Sequence, residues 1–322
     1  MRYALTGATG FLGGELVRQL VDAGHDVVAL VRSPARAGRL EAIGADLVEG
    51  DLGDSRALDR LLVEVDGLFH VAGWYRLGQR DPSPGQRTNV EGTRNVLLAA
   101  QRAATPKVVY TSTLAVNSDT GGRFVDETYE HVGSHLSEYD RTKAAAHAIA
   151  KQFAADGLPL VIVMPGVIYG PGDTSQVGDL VERVVAGRRP QVPSAGGRLT
   201  WAHVSDVARG HLLAMERGTS GETYMLAGDP ATVGELLVHV GEAAGTKGPV
   251  LVPPGVLRLT ARIMTPVARL VPVPATYHPE TIRAVLADYL GVRAKAEREL
   301  GWHPRGIHEG VAQTVAHLRE RL

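Results

Sequence analysis

The chain has 322 residues, 44% hydrophobic and 21% charged, with 34 Lys plus Arg against 35 Asp plus Glu. Such a length supports one large domain or a domain with a smaller companion, and the near-neutral balance gives no electrostatic reason to expect nucleic acid as a partner. The absence of cysteine excludes disulfides, thiolate nucleophiles and cysteine-ligated zinc or iron–sulfur sites.

The start, MRYALTGATGFLGG, runs directly into a strand-like segment without the charged, apolar and small-residue order of a signal peptide, which predicts a cytoplasmic protein. No stretch reaches the roughly 18–20 uninterrupted apolar residues of a membrane span. The apolar run 251–275 carries prolines at 253, 254, 266, 272 and 274, which argue against a spanning helix.

Short runs rich in valine and leucine predict strands at 2–5, 27–31, 46–49, 67–71, 107–111 and 160–164. Amphipathic patterns between them predict helices near 11–23, 34–43, 54–63, 88–103 and 137–156. This alternation predicts an α/β fold over residues 1–165, a doubly wound parallel sheet of Rossmann type. After Met164 the rhythm breaks in PGVIYGPGD, and helical patterns near 176–187, 205–217, 232–244 and 280–300 predict a smaller, mainly helical lobe over 166–322. The chain can cross back to the sheet from there, and the lobe is expected over the carboxyl ends of the strands, where open α/β sheets bind ligands.

TGATGFLGG follows the first strand and opens the first helix. Gly7, Gly10 and Gly13 let backbone approach a pyrophosphate, with Thr9, Phe11 and Leu12 around it, and the helix N-terminus aims partial positive charge at the anion. An acidic residue that would hold the NAD ribose is expected at the end of the second strand. Arg32 stands there instead, with Ser33 and Arg36 close behind, so the sequence favours NADP(H) and leaves NAD(H) open. Asp51 and Leu52 of GDL suit the adenine. Val71, Ala72 and Gly73 of HVAG close the fourth strand with residues that let backbone pass near a cofactor.

In YDRTK, Tyr139 and Lys143 are four apart and share one helical face. The preceding strand ends in Thr111, Ser112 and Thr113. Carbonyl reduction needs a hydride donor, a proton donor and a group that polarises the oxygen. Tyr139 is the candidate proton donor, Thr113 the polarising hydroxyl, and Lys143 the cation that lowers the tyrosine pKa from about 10.

TGATGFLG (6–13), GDL (50–52), HVAG (70–73), NVEGT (89–93), YTST (110–113), YDRTK (139–143) and PGVIYGPGD (165–173) together resemble the extended short-chain dehydrogenase/reductase family, in its order and approximate spacing. The resemblance implies a catalytic set of Thr113, Tyr139 and Lys143. It also implies Asn89, Thr111, Lys143, Pro165, Val167 and Ile168 around the cofactor. VRSPAR, HVAGWYRLG and VIVMPGVIYGPGD resemble the dihydroflavonol-4-reductase-like branch, including its hopanoid-associated sugar epimerase relatives. HVSDVA (203–208) is kept, but the aspartates that precede it in nucleotide-sugar enzymes are missing.

The expected activity is therefore NADP(H)-dependent reduction of a ketone or aldehyde, or oxidation of the matching secondary alcohol. An NAD-dependent sugar epimerase or dehydratase is the alternative, and a non-catalytic NADP(H) sensor a third. Substrate contacts are expected from Trp74, Tyr75, Thr113, Tyr139, Gly166 and Tyr169, with Arg76 in the same loop, suggesting an apolar or aromatic substrate. The proline-studded 249–279 stretch reads as a lid, a dimer surface or a peripheral membrane contact. Family members often dimerise through a four-helix bundle, which implies a homodimer through helices 88–103 and 137–156.

His131 and His135 are four apart but lack a nearby third ligand, so no metal is expected. By the resemblance, His203 and Asp206 belong to a structural turn rather than a catalytic pair, with Ser205 the expected N-cap of the helix that follows. The charges of 293–301 read as a solvated helix face.

Overall fold

The computed structural model describes residues 1–77, 81–256, 259–260, 262–264 and 278–321. Much of the proline-studded stretch expected as a lid thus lies outside the described residues. The first part contains strands β1 (Arg2–Thr6), β2 (Asp26–Val31), β3 (Asp46–Glu49), β4 (Gly67–His70), β5 (Val108–Thr111) and β6 (Leu160–Pro165). Its helices are α1 (Phe11–Asp22), α2 (Gly38–Ala42), α3 (Ser55–Leu61), α4 (Ser83–Gly85), α5 (Thr93–Arg102) and α6 (Glu138–Ala155). Beyond β6 come β7 (Val167–Tyr169), β8 (Gln191–Pro193), β9 (Leu199–His203), β10 (Thr223–Leu226), β11 (Asp229–Ala231) and β12 (Val250–Val252). The helices there are α7 (Gln176–Val185), α8 (Val204–Arg217) and α9 (Val233–Ala244). Two later helices span Pro279–Leu286 and Ile307–Arg319.

The main sheet has seven parallel strands in the order β10-β6-β5-β4-β1-β2-β3. Every residue of β4, β5 and β6 is buried, which explains their unbroken apolar runs: helices cover both faces. Leu16, Val17 and Leu20 of α1 pack with Leu212 and Leu213 of α8 on one face. On the other face Leu58 and Leu61 of α3, Val96 and Leu97 of α5, and Ala146 and Ala150 of α6 share a second core. Each fully buried leucine contributes about 1.5–3 kcal/mol. The strand order reverses between β1 and β4, so the carboxyl ends of these neighbours flank the crevice where such sheets take ligands.

The remaining chain forms a three-stranded sheet, β11-β9-β7, and a two-stranded pair, β12-β8. Tyr169, Trp201, Leu236, Leu237 and Val311 belong to its core. β10 leaves this part to complete the main sheet beside β6, pairing Met225 with Met164.

Several local expectations are corrected. The helix expected over 34–43 is a 3-10 turn at Pro34–Arg36 followed by the short α2. The helix expected over 280–300 ends at Leu286, where Tyr289 bridges Leu199 and Gly291 bridges Val125 before a π-helical turn at Ala296–Leu300. His203, not Ser205, caps α8: its Nδ1 accepts the Ser205 N–H at 3.3 Å. The helix at Ile307–Arg319, with Val311, Val315 and Leu318 buried, falls where no helix was expected.

Candidate active site

The crevice begins at the end of β1. Gly7 has a φ of +80°, and a Cβ there would lie 2.6 Å from the Ala72 backbone nitrogen, so the turn closes on the end of β4 only with glycine. A Cβ on Gly13 would lie 2.1 Å from the Gly7 carbonyl oxygen. Gly10 is the N-cap of α1 and provides no side-chain cap, and no acidic residue stands in the first turn. With Thr9 and Gly10 exposed, the helix N-terminus offers N–H groups without a side-chain acceptor, a donor set that fits a pyrophosphate. Phe11 is partly buried and Leu12 buried, both against the α1 core, so their side chains serve packing.

Past β2, Arg32 and Arg36 are exposed and have no ion-pair partner among the described residues, while Ser33 is partly buried. Asp51 accepts the Gly53 N–H at 2.7 Å in a local turn, and Leu52 is held by Asn95, whose Nδ2 donates to its carbonyl at 3.0 Å. Val71 packs against the core beside α1. The Ala72 N–H donates to Thr6 Oγ1 at 3.4 Å, and Gly73 approaches Asn89.

Asn89 was expected at the cofactor. It is 1% exposed and spends its amide elsewhere: Oδ1 accepts the Trp74 N–H at 2.7 Å, and Nδ2 donates to the Trp74 carbonyl and to Thr142 Oγ1, each at 3.0 Å. Its place in the π-helical stretch Gln86–Gly92 turns it toward that loop. Asn89 therefore ties the loop after β4 to α6. Trp74 is partly buried, and Tyr75, half exposed, sets its ring edge-on to Tyr139 at 4.8 Å between centroids.

Thr113 follows β5 and caps a 3-10 turn, its Oγ1 accepting the Ala115 N–H at 3.2 Å. The same side chain lies near enough to the Tyr139 hydroxyl to favour its ionised form. Burial pushes the Tyr139 pKa above its ordinary value, the Thr113 hydroxyl opposes this, and Tyr75, Asp140 and Tyr110 add to it. The expected lowering by Lys143 is therefore not the net result. Lys143 Nζ instead donates to the Thr111 carbonyl at 2.7 Å and to Tyr110 Oη at 3.2 Å, and it stands 4.9 Å from the centre of the Tyr110 ring. Its burial lowers its pKa to about 7. Thr111 Oγ1 meets His211 Nε2 at 2.8 Å, so this threonine packs into the sheet rather than reaching for a cofactor.

The first turn of α6 is clasped from the later chain. Ser137 caps it, the Glu138 N–H donates to Glu280 at 2.6 Å, and Asp140 accepts from Ser137 Oγ at 2.6 Å and from Tyr289 Oη at 2.9 Å. Burial raises Asp140 to about 6, against the pull of these hydrogen bonds. Neither Asp140 nor Tyr289 was singled out in the sequence; the only signal was the acid directly after Tyr139.

Pro165 ends β6, and Gly166 passes so close to Thr200 that a Cβ would lie 2.2 Å from its carbonyl oxygen. Val167 and Ile168 are partly buried. Tyr169 is corrected as a substrate contact: it is 3% exposed, packs against Trp201 and His203, and donates to the Ile307 carbonyl at 3.3 Å. Asp206 binds Arg305 through both carboxylate oxygens at 2.8 Å and accepts the Arg305 N–H at 3.0 Å, so it fastens the segment before the Ile307–Arg319 helix, while His203 caps α8. His131 and His135 lie ring to ring at 4.9 Å, and among the described residues no group of three metal-ligating side chains includes them.

The glycine turn, the switch point and the hydroxyl–tyrosine–lysine cluster all stand at the carboxyl ends of β1, β4 and β5. The profile of the NAD dependent epimerase/dehydratase family matches residues 3–227. The chain belongs to this family. It is 34% identical, over 97% of this chain and 93% of the relative, to a Synechocystis sp. protein provisionally named a dihydroflavonol 4-reductase. It is also 34% identical, over 96% of this chain and 94% of the relative, to 4-hydroxy-2-methyl-3-oxo-4-farnesyl-3,4-dihydroquinoline-1-oxide ketoreductase of Stigmatella aurantiaca. The crystal structure of gox2253 superposes with a TM-score of 0.85 at 33% identity, covering 100% of this chain and 98% of that one. Membership makes the chain one of a family of nicotinamide-cofactor oxidoreductases and epimerases. Among the described residues no helix is long and apolar enough to cross a membrane.

Proposed function

We propose that the protein is an NADP(H)-dependent oxidoreductase that reduces a ketone or aldehyde, or oxidises the matching secondary alcohol. The observation that carries this reading is Tyr139 placed with Thr113 beside its hydroxyl and Lys143 one helical turn away on α6. The reductase names of the relatives support it. Arg32 and Arg36, exposed and without an ion-pair partner among the described residues, support NADP(H), because a 2′-phosphate takes charge-assisted hydrogen bonds from guanidinium groups.

The turn Gly7–Gly13 would hold the pyrophosphate and Arg32, Ser33 and Arg36 the 2′-phosphate, with Asp51 and Leu52 at the adenine and Ala72, Gly73, Pro165, Val167 and Ile168 lining the crevice. The bound nicotinamide supplies or accepts the hydride. Thr113 donates a hydrogen bond that polarises the substrate oxygen, and Tyr139 delivers the proton. Its raised pKa keeps the phenol in the donating form, and Lys143, one turn away on α6, is the cation that would lower the energy of the phenolate that remains. Trp74, Tyr75 and Ile168 favour an apolar or aromatic carbonyl compound. We place a homodimer interface on α5 and α6, where Leu98 is 39% exposed; sedimentation of a monomer at micromolar concentration would remove it.

The test is oxidation of NADPH and of NADH with a panel of carbonyl compounds. Tyr139→Phe is expected to lower kcat/KM by about 10²–10⁴ with NADPH binding unchanged. Full activity in that variant overturns the mechanism. The family description favours one second reading, an NAD-dependent sugar or sugar-nucleotide epimerase or dehydratase. Purified protein that retains tightly bound NAD and converts a sugar without net cofactor consumption would establish it instead.

A further inference from the structure

Lys143 is 5% exposed, and no carboxylate pairs with its ammonium among the described residues. Its charge rests on the Thr111 carbonyl, the Tyr110 hydroxyl and the Tyr110 ring. Such a cation is costly unless its acceptors are held in place. An ammonium only donates, so the Tyr110 O–H is directed away from Lys143, on the side of the Thr93 hydroxyl that acts on it. Thr93 Oγ1 lies 3.0 Å from His70 Nε2, and His70 Nδ1 lies 2.8 Å from Thr6 Oγ1. Passing each proton onward makes Nε2 the acceptor and leaves Nδ1–H to donate to Thr6, whose oxygen also receives the Ala72 N–H at 3.4 Å.

Thr6, His70 and Tyr110 are 0% exposed and Thr93 1%, so water cannot substitute for a missing link. Burial holds His70 neutral, its pKa lowered to about 3 with Lys143 adding to the effect, as this orientation requires. The line runs from β1, directly before the glycine turn, through β4, α5 and β5 to α6.

We propose that Tyr110, Thr93 and His70 are positioning residues for Lys143: their directed hydrogen bonds fix the ammonium's place and keep it charged. The inference rests on the role given to Lys143 above. The titratable groups around Lys143 are Tyr110 from β5, His70 from β4, and Tyr139 and His147 from its own helix.

The test uses the full chain labelled with ¹³Cε-lysine. Lys107, Lys143, Lys151, Lys247 and Lys295 are the chain's lysines, so Lys143→Met identifies the resonance. Tyr110→Phe is expected to lower the Lys143 titration midpoint by about one pH unit and to move the basic limb of carbonyl reduction the same way. Thr93→Val shifts both in that direction by less, and Thr93→Ser restores them. If the midpoints of Tyr110→Phe and Thr93→Val coincide with the wild type, whatever the change in stability, the inference is overturned. Should Thr93→Val not fold, Tyr110→Phe decides alone. Full activity in Tyr139→Phe or Lys143→Met overturns the proposed reaction instead, while the apo-protein titration still judges the hydrogen-bond line.

Discussion

Replacing Asn89 with alanine tests how the loop after β4 is tied to α6. The amide makes three hydrogen bonds, of 2.7, 3.0 and 3.0 Å, and is 1% exposed. Each is worth about 1 kcal/mol net, more where a buried partner is left unpaired. Thr142 keeps its own bond to the Tyr139 carbonyl at 3.0 Å, and the partly buried Trp74 backbone has some access to water, which moderates the loss. The expected destabilisation is roughly 2–3 kcal/mol, a fall in Tm of about 5 °C for a chain of this size. The loop also holds Tyr75 against Tyr139, so its loosening should raise KM by about tenfold, the equivalent of roughly 1.4 kcal/mol of lost order. Circular dichroism melts and steady-state kinetics read both. Wild-type KM with a lowered Tm would reduce Asn89 to a structural bracket, and wild-type values of both would refute the reasoning.

Arg32→Asp should weaken NADPH binding by about tenfold or more while leaving NADH binding nearly unchanged, as the loss of one exposed charge-assisted contact implies; equal effects on both cofactors in a fluorescence titration would exclude the 2′-phosphate role. Asp206→Ala leaves Arg305 without its carboxylate, and because the pair is 21% and 13% exposed it should cost roughly 2–3 kcal/mol in a denaturant melt with kcat unchanged; a selective loss of kcat would make Asp206 a site residue. Stability should also fall as pH drops. Burial lowers His211, His147 and His203 to about 4 and His70 to about 3, so below their unfolded value of about 6.5 the unfolded chain binds protons that the folded chain refuses. Their contribution is fully present above that value and is lost toward pH 4, at about 1.4 kcal/mol per unit of separation for each. A cooperative acid transition within that window by circular dichroism is the expected result, and an unfolding free energy flat from pH 7 to pH 4 would contradict it.

The strands were legible because parallel strands covered on both faces leave unbroken apolar runs, and the first six lie within a residue or so of expectation. The break at Leu286 was not: the charges of 293–301 keep a helical appearance, and only the bridge of Tyr289 to Leu199 reveals a partner elsewhere in the chain. Tyr169 departs from expectation because strand periodicity turns it inward. In β7, Val167 and Tyr169 pack into the later chain's core while Ile168, between them, packs against the α1 core, as alternation demands. Every residue of the Lys143 line stood in a visible motif, yet motifs draw the eye to side chains suited to a ligand. YTST was read for its hydroxyls at 111–113, HVAG for its small residues and NVEGT for Asn89. Tyr110, His70 and Thr93, the members of those same strings that face inward, meet only when β1, β4 and β5 align. A buried ammonium without a counter-ion must be held by neutral dipoles, and such dipoles come from separate strands, at sequence distances where no local pattern connects them.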